Sequence, residues 1–175
     1  MRESFSLIPS GPPAVQLRTI EPRDLEDLRR WKNAARAAFF FKEEITPAGQ
    51  QAWFQGYLAR PLDFMFMAEA CHLDAGCLGF RILDGAADAY NIIGAPAGRG
   101  RGLMSAAMRL MCSYILAEHS RTVACLVLKD NPAAAWYRKC GYRIAEERTD
   151  HYKMELDLSV FTPCAYIKSG KEPRP

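Results

Sequence analysis

The chain has 175 residues, of which 49% are hydrophobic and 25% are charged, and its formal net charge is +3. These values indicate one globular domain and exclude a disordered or membrane-spanning protein, because no run approaches the roughly 18 apolar residues of a membrane helix. The small net charge argues against a nucleic-acid-binding protein.

An acidic residue and two prolines interrupt the N-terminal stretch where a signal peptide would need apolar residues, so we expect a cytoplasmic location. The six cysteines form no CxxC pair and lie mostly in apolar segments. We therefore expect buried or reduced thiols and no disulfide framework, with a zinc site as the less favoured alternative.

Three parts of the chain are expected to differ in how well ordered their structure is. Residues 1–13 end in SGPP and predict a flexible leader, residues 14–158 predict the folded domain, and residues 159–175 predict a C-terminal tail. The tail carries large apolar side chains that could cover the core or a partner subunit. A homodimer is therefore compatible with the sequence.

The first half of the folded domain predicts a strand, two helices and three more strands. AVQLRTI alternates apolar and polar residues as a half-buried strand does, and the next helix has Pro22 in its first turn. Thr46 and Pro47 mark the N-cap and first position of a second helix that runs to Ala59. Turn-like links then separate three short apolar runs, which favours an antiparallel meander: DFMFMAEA, GCLGFRIL and DAYNIIGA.

The second half predicts a buried helix between two parallel strands. Leu103 to Glu118 is apolar almost all round, as in a helix packed on a sheet, and the apolar strand RTVACLVL follows it. A strand–helix–strand connection of this kind makes the two strands parallel. A short helix ending at Gly141 and two final strands complete the domain. We predict an α/β fold with a mixed, partly open central sheet of about six to seven strands and helices on both faces.

The segment before the buried helix, GAPAGRGRGLM, interleaves glycines and arginines. Its spacing does not fit the GxGxxG dinucleotide motif, and it lacks the Gly-Lys-Ser/Thr end of a Walker A loop. It offers uncovered backbone N–H groups, two cations and the positive end of a helix dipole, which together suit a phosphate. The alternative is a flexible loop whose arginines are solvated.

Three motifs in order, RGRGLM, DNP and WYRKCGY, resemble the GNAT superfamily of acetyl-CoA-dependent N-acetyltransferases over about residues 14–158. The resemblance implies a GNAT-like fold and acetyl-CoA as the acetyl donor. The loop amides would bind its pyrophosphate, and the preceding strand would pair with its pantetheine arm. The implied cofactor-binding residues are Ile92, Ile93, Gly94, Arg99, Gly100, Arg101, Gly102, Leu103, Met104 and Asn131.

By the same resemblance, Tyr137 is the catalytic acid that protonates the departing thiolate. A phenol with a pKa near ~10 can pass a proton to a thiolate of pKa ~8.5. The alternative is a core aromatic packed beside Trp136. Two features depart from the family pattern: Met104 stands where the loop motif has Gly or Ala, and the interval from Asn131 to Tyr137 is one residue shorter.

The segment FFFKEEITPAGQQAWF, residues 39–54, is where we expect acceptor specificity. Three consecutive Phe cannot all face the core of one element. One interpretation is a helix–helix junction with Phe40 or Phe41 buried. The other is an aromatic acceptor wall that includes Phe41, with Glu43 or Glu44 facing the amine. No titratable residue lies in a motif that identifies it as the general base.

The resemblance extends to the acceptor. The pattern of Trp31-x-Asn33, then Ile45 and Trp53-Phe54, looks like that of family members that acetylate nucleotide-linked amino sugars. Gln50 stands where that branch has a histidine. We therefore predict acetyl transfer to a primary amine, on a small molecule such as a nucleotide-linked amino sugar. Two alternatives stay open: a Rim-type protein N-terminal acetyltransferase, which NAARAAFF also resembles, and a non-catalytic CoA-binding module.

Overall fold

A mixed sheet of nine strands forms the centre of this computed structural model, which describes residues 3–170. The strands are β1 (Phe5–Pro9), β2 (Gln16–Thr19), β3 (Asp63–Ala70), β4 (Leu73–Leu83), β5 (Ala86–Gly94), β6 (Val123–Leu128), β7 (Tyr142–Glu147), β8 (His151–Leu156) and β9 (Tyr166–Gly170). Their order across the sheet is β7-β8-β6-β5-β4-β3-β2-β1-β9.

Four α-helices lie within the same residues: α1 (Leu25–Ala34), α2 (Pro47–Leu58), α3 (Leu103–Glu118) and α4 (Ala133–Lys139). The predicted start of α2 is confirmed, because the Thr46 side chain accepts a hydrogen bond from the Gly49 amide and Pro47 occupies the first turn. Short 3-10 turns occur at Pro22–Asp24, Arg36–Ala38 and Pro96–Gly98.

The sheet has more strands than the six to seven that the sequence predicted, because β1 and β9 extend it. The prediction of a flexible leader over residues 1–13 is wrong for β1, whose Phe5 and Leu7 alternate with less buried residues and are 3% and 0% exposed. β9, from the predicted tail, pairs antiparallel with β1 over five residues. The ends of the predicted leader and tail, residues 1–2 and 171–175, lie outside the described residues.

Helices cover both faces of the sheet, as predicted. Successive residues of β3 point to opposite faces, so Phe66 packs in one core and Met65 in the other. α3 covers the first core through side chains such as Met108, while α1 and α2 cover the second through Leu28 and Tyr57. Each fully buried large apolar side chain contributes about 1.5–3 kcal/mol to folding.

The strands β5 and β6 pair in parallel, as the α3 crossover predicted, but only at their starts. The paired residues are Ala87 with Val123 and Asp88 with Ala124. Further along, β5 carries one extra residue relative to β4, and Asn91 at this bulge has a left-handed φ of +50°. The bulge bends β5, and β5 separates from β6 beyond it.

No helix within residues 3–170 combines the length and apolar character needed to cross a membrane. The six cysteines are free thiols, and three of them are buried. In this part of the chain, no three His, Cys, Asp or Glu side chains approach one another as metal ligands would.

Candidate active site

The separation of β5 from β6 opens a groove of about 1040 Å³, which we call the β5–β6 groove. Its walls come from the end of β5, the starts of α3 and α4, and the aromatic segment after α1. Residues 92–94 line it and have no strand partner on the β6 side within residues 3–170. Backbone groups on that side are therefore available to a bound molecule.

The loop at one end of this groove depends on glycine. A Cβ at Gly98 would lie 2.7 Å from the carbonyl oxygen of Ala75, so a larger residue does not fit. Gly100 and Gly102 have φ values of +73° and +71°. That left-handed conformation costs other residues about 1–2 kcal/mol.

The backbone N–H groups of residues 100–104 are free to bind an anion. Within residues 3–170, no carbonyl or side chain accepts a hydrogen bond from them. The first bonded amide is that of Ser105, which donates to the carbonyl of Gly102 at 3.1 Å. Free amides at the start of a 16-residue helix are suited to a phosphate, because the helix dipole adds positive charge there.

The predicted loop residues divide between groove and solvent. Arg101 is exposed and does not line the groove. The Met104 side chain is directed towards the two strands, since its Sδ lies 2.7 Å from a Cβ placed on Gly76 and its Cγ lies 3.5 Å from one on Gly94. The loop residues that line the groove are Arg99, Gly100, Gly102, Leu103 and Met104.

Asn131 lines the groove at the opposite wall and connects two segments. Its Nδ2 donates to the carbonyl of Ala38 at 3.1 Å, and its Oδ1 accepts from the Ala133 amide at 2.9 Å. It therefore fixes the start of α4 to the turn that follows α1.

Tyr137 also lines the groove and is only 8% exposed. Its ring lies 5.0 Å from that of Trp136 and 5.7 Å from that of Tyr142, between centroids. Burial raises the pKa of Tyr137 well above its usual 10, so the phenol keeps its proton at neutral pH. It is both a packed aromatic and a phenol held in its proton-donating form.

A second cavity of about 410 Å³ lies between α1, α2 and the sheet, and we call it the α1–α2 cavity. It is adjacent to the β5–β6 groove, because both are lined by Lys32, Phe41, Asn91 and Ile93. The volume falls within the usual range of small-molecule sites. A donor in the groove and an acceptor in the cavity would meet at these four residues.

Asn33 holds the loop that closes this cavity. Its Nδ2 donates to the Ile45 carbonyl at 2.9 Å, and its Oδ1 accepts from the Ile45 amide at 2.8 Å. Arg29 adds a longer hydrogen bond to the same carbonyl at 3.3 Å. These bonds from α1 set the position of the predicted acceptor segment.

The predicted acceptor residues differ in their positions. Phe41 is 53% exposed and lines both spaces, and Glu44 lines the α1–α2 cavity, whereas Glu43 lines neither. The interpretation in which Phe40 or Phe41 is buried at a helix junction is wrong, since Phe40 is 50% exposed. Phe39 is the residue that packs against the core of α1 and α2.

Lys32 is the residue that the sequence interpretation missed. Its Nζ hydrogen-bonds Asn91 Oδ1 and lies 4.0 Å from the centroid of the Phe39 ring. Burial lowers the pKa of Lys32 from 10.5 to about 8. A signal was present: Lys32 follows Leu28 by four residues, so helical periodicity places it on the buried face of α1.

Two further side chains line the α1–α2 cavity. Gln50, in the first turns of α2, is 7% exposed. Cys77 donates from Sγ to the Asn91 carbonyl at 3.5 Å, and burial raises its pKa to about 12. Cys77 therefore stays a thiol at neutral pH and is a poor nucleophile.

The splayed strands and the amide-rich loop at the start of α3 coincide with a family-model match. The model described as acetyltransferase (GNAT) domain matches residues 15–143. The chain belongs to this family and is a GNAT N-acetyltransferase. No curated protein sequence matches the chain significantly.

Solved structures match the fold at low sequence identity. Spermidine N-acetyltransferase from Vibrio cholerae, in complex with CoA and spermine, has a TM-score of 0.71 and 17% identity, covering 84% of this chain and 97% of that one. The apo form of FdhC, a nucleotide-linked sugar GNAT, has a TM-score of 0.72 and 12% identity, covering 91% and 92%. At these identities the matches show the fold alone.

Proposed function

We propose that the chain transfers the acetyl group of acetyl-CoA to a primary amine of a small molecule such as a nucleotide-linked amino sugar. The observation that carries the proposal is the junction of the β5–β6 groove with the α1–α2 cavity. The free amides of residues 100–104 fit a pyrophosphate, and the adjoining cavity fits a small acceptor.

Acetyl-CoA supplies the activated acetyl thioester. In the proposed complex, the loop amides and Arg99 hold the pyrophosphate, and residues 92–94 pair with the pantetheine arm. A backbone N–H near Ile93 stabilises the oxyanion. Tyr137 donates a proton to the departing sulfur, which its position in the groove wall supports. Its raised pKa keeps the phenol protonated until the thiolate forms.

The charges of the α1–α2 cavity favour an acceptor with a single amine. Its lining includes one carboxylate, that of Glu44, and one amine side chain, that of Lys32. A polyamine with several ammonium groups would need more carboxylates, because buried charges require partners. The similarity to the spermidine enzyme therefore concerns the fold and does not indicate a polyamine acceptor.

The cavity also bears on the two alternatives from the sequence. A peptide N-terminus would need an open groove, whereas this cavity is small and lies between two helices and the sheet. A non-catalytic module was suggested by Met104 and by the shortened interval before Tyr137. Met104 turns towards Gly76, and Tyr137 lines the groove, so neither feature argues against catalysis.

Calorimetry with acetyl-CoA and a thiol-release assay test the proposal. We expect binding at micromolar concentrations and CoA release with a nucleoside-diphosphate-linked amino sugar. Spermidine and a peptide with a free N-terminus serve as competing acceptors. Absence of acetyl-CoA binding at tens of micromolar would reject the function, and preferred acetylation of the peptide would replace the acceptor class.

A further inference from the structure

The amine of Lys32 lies where the two halves of the proposed reaction meet. Lys32 lines both the β5–β6 groove and the α1–α2 cavity. Its hydrogen-bond partner is Asn91, at the bulge where β5 bends away from β6. The acceptor amine must approach the thioester past this point, so the two nitrogens come close together.

Lys32 is held there without a carboxylate partner among residues 3–170. Its contacts are the amide oxygen of Asn91 and the face of the Phe39 ring, and neither carries a full negative charge. An ammonium in such a place loses hydration without gaining a counter-ion. The surroundings therefore increase the share of the neutral amine, which has a lone pair and can accept a proton.

The groups on the packed elements leave Lys32 in this state. From β4, the nearby Cys77 is an uncharged thiol at neutral pH, because burial raises its pKa to about 12. From β5, the Tyr90 hydroxyl is engaged with Asp63. The loop contributes Glu44, on the exposed part of the cavity lining, and the α2 lining residues carry no charge.

The chemistry requires a proton acceptor at this position. A primary amine reaches the site mostly as ammonium at neutral pH, and an ammonium has no lone pair with which to attack a thioester. With a pKa of about 8, Lys32 is neutral in about one-tenth of molecules at pH 7. A base whose pKa is near the working pH is well matched to proton transfer.

We propose that Lys32 is the catalytic base, and that it accepts a proton from the ammonium of the acceptor. This inference rests on the proposed function. The neutral acceptor nitrogen then forms the C–N bond as the C–S bond breaks. Tyr137 gives its proton to the departing sulfur, and the second proton of the nitrogen passes through water in the groove to restore the Tyr137 phenol. The net proton released is the one that Lys32 passes to water through the open cavity.

Kinetics over a range of pH test the assignment, with acetyl-CoA and a nucleoside-diphosphate-linked amino sugar as substrates. In the unmodified protein, we expect kcat/KM to rise with pH and reach half of its plateau near pH 8. Lys32→Met and Lys32→Arg should lower kcat/KM by about 10²- to 10³-fold at pH 7. Their ascending limb should move to the pKa of the acceptor itself, while acetyl-CoA affinity stays unchanged.

Lys153→Met is the matched control, because Lys153 lies on β8 and pairs with Glu155 at the surface. It should leave rate and pH profile unchanged. Retention of the limb near pH 8 by both Lys32 variants would overturn the proposal. Circular dichroism checks that each variant folds. Lys32→Met, which places no cation in the cavity, keeps the test valid if Lys32→Arg does not fold.

A titration followed by NMR gives a readout that needs no turnover. The ¹³Cε signal of Lys32, assigned by its loss in Lys32→Arg, should titrate near pH 8, and titration above pH 10 would overturn the proposal. Failure of the proposed function can be distinguished from failure of the Lys32 assignment. Without acetyl-CoA binding the function itself fails, whereas a protein that releases CoA but keeps an ordinary Lys32 contradicts this inference alone.

Discussion

The β5–β6 groove and the α1–α2 cavity are neighbours that are built in different ways. The groove is shaped by backbone: two left-handed glycines, free amides and the unpaired side of a strand end. The cavity is shaped by side chains, among them Lys32, Phe41 and Gln50. Substitutions alter side chains directly and backbone only indirectly. We therefore expect donor binding to tolerate change better than acceptor choice does.

Apart from the Lys32 variants, the largest effect should come from Tyr137, the side chain that the groove contributes to the chemistry. Tyr137→Phe should lower turnover by about 100-fold, because the acid for the departing sulfur is lost. Acetyl-CoA affinity, measured by calorimetry, should change less than twofold. Tyr152→Phe on β8 is the control and should keep full turnover. If Tyr137→Phe kept the turnover of the unmodified protein, Tyr137 would contribute to packing only.

The second effect concerns stability and the cost of placing a cation in the cavity. Because the pKa of Lys32 falls from 10.5 to about 8 on folding, the folded chain binds fewer protons between these values. The free energy of unfolding should therefore rise with pH across this interval. Lys32→Met should be more stable at pH 7 by about 1–3 kcal/mol.

Urea unfolding at pH 7 and above pH 10 measures this difference. The advantage of Lys32→Met should shrink as the pH rises above 8 and vanish above 10.5, where Lys32 is neutral in both states. Lys153→Met should change stability little at either pH, since surface ion pairs contribute about 0–1 kcal/mol. If Lys32→Met gained the same free energy of unfolding at every pH, the gain would come from apolar packing of the methionine and not from the loss of charge.

A third prediction tests whether backbone shape governs donor binding. Gly102→Ala should weaken acetyl-CoA binding about tenfold, because the left-handed φ of +71° costs alanine about 1–2 kcal/mol. Gly85→Ala is a matched control, since Gly85 has φ +80° and, like Gly102, open space around it. Both variants should lose similar stability in thermal unfolding. Equal loss of acetyl-CoA affinity in both would contradict the assigned role of the loop.

The smallest effect should appear at the loop that closes the cavity. Asn33→Ala removes two hydrogen bonds to Ile45, while Arg29 keeps its bond to the Ile45 carbonyl. We expect about a fivefold higher KM for the amine acceptor, corresponding to about 1 kcal/mol. Asn33→Asp retains the oxygen that accepts from the Ile45 amide, so its KM should lie between those of the unmodified protein and Asn33→Ala. An unchanged KM would show that the loop holds its position without Asn33.

The two regions also differ in how far the sequence predicted them. The loop and α3 were predicted because glycine spacing and helical periodicity are local signals. The bulge at Asn91 depends on how β4 and β5 align, and no residue near it records that register. Lys32 was missed because it belongs to no motif, although its spacing from Leu28 placed it on the apolar side of α1.

The sheet edge was missed for a related reason. The SGPP punctuation made the residues before it look separate from the domain, whereas the partner strand β9 lies at the other end of the chain. The local pattern of each segment does not show which distant strand it pairs with. Only the alternation of Phe5 and Leu7 pointed to a strand.

That edge has a consequence for the growing chain on the ribosome. β1 can join β2 early, since Leu7 lies opposite Leu17. Its outer partner, β9, is made last among the described strands, with Phe5 opposite Gly170. Until then the nascent protein exposes the hydrogen-bonding groups of β1, which can pair with strands of other molecules. Pairing of β9 therefore covers the exposed side of β1, and β9 becomes the edge strand of the sheet.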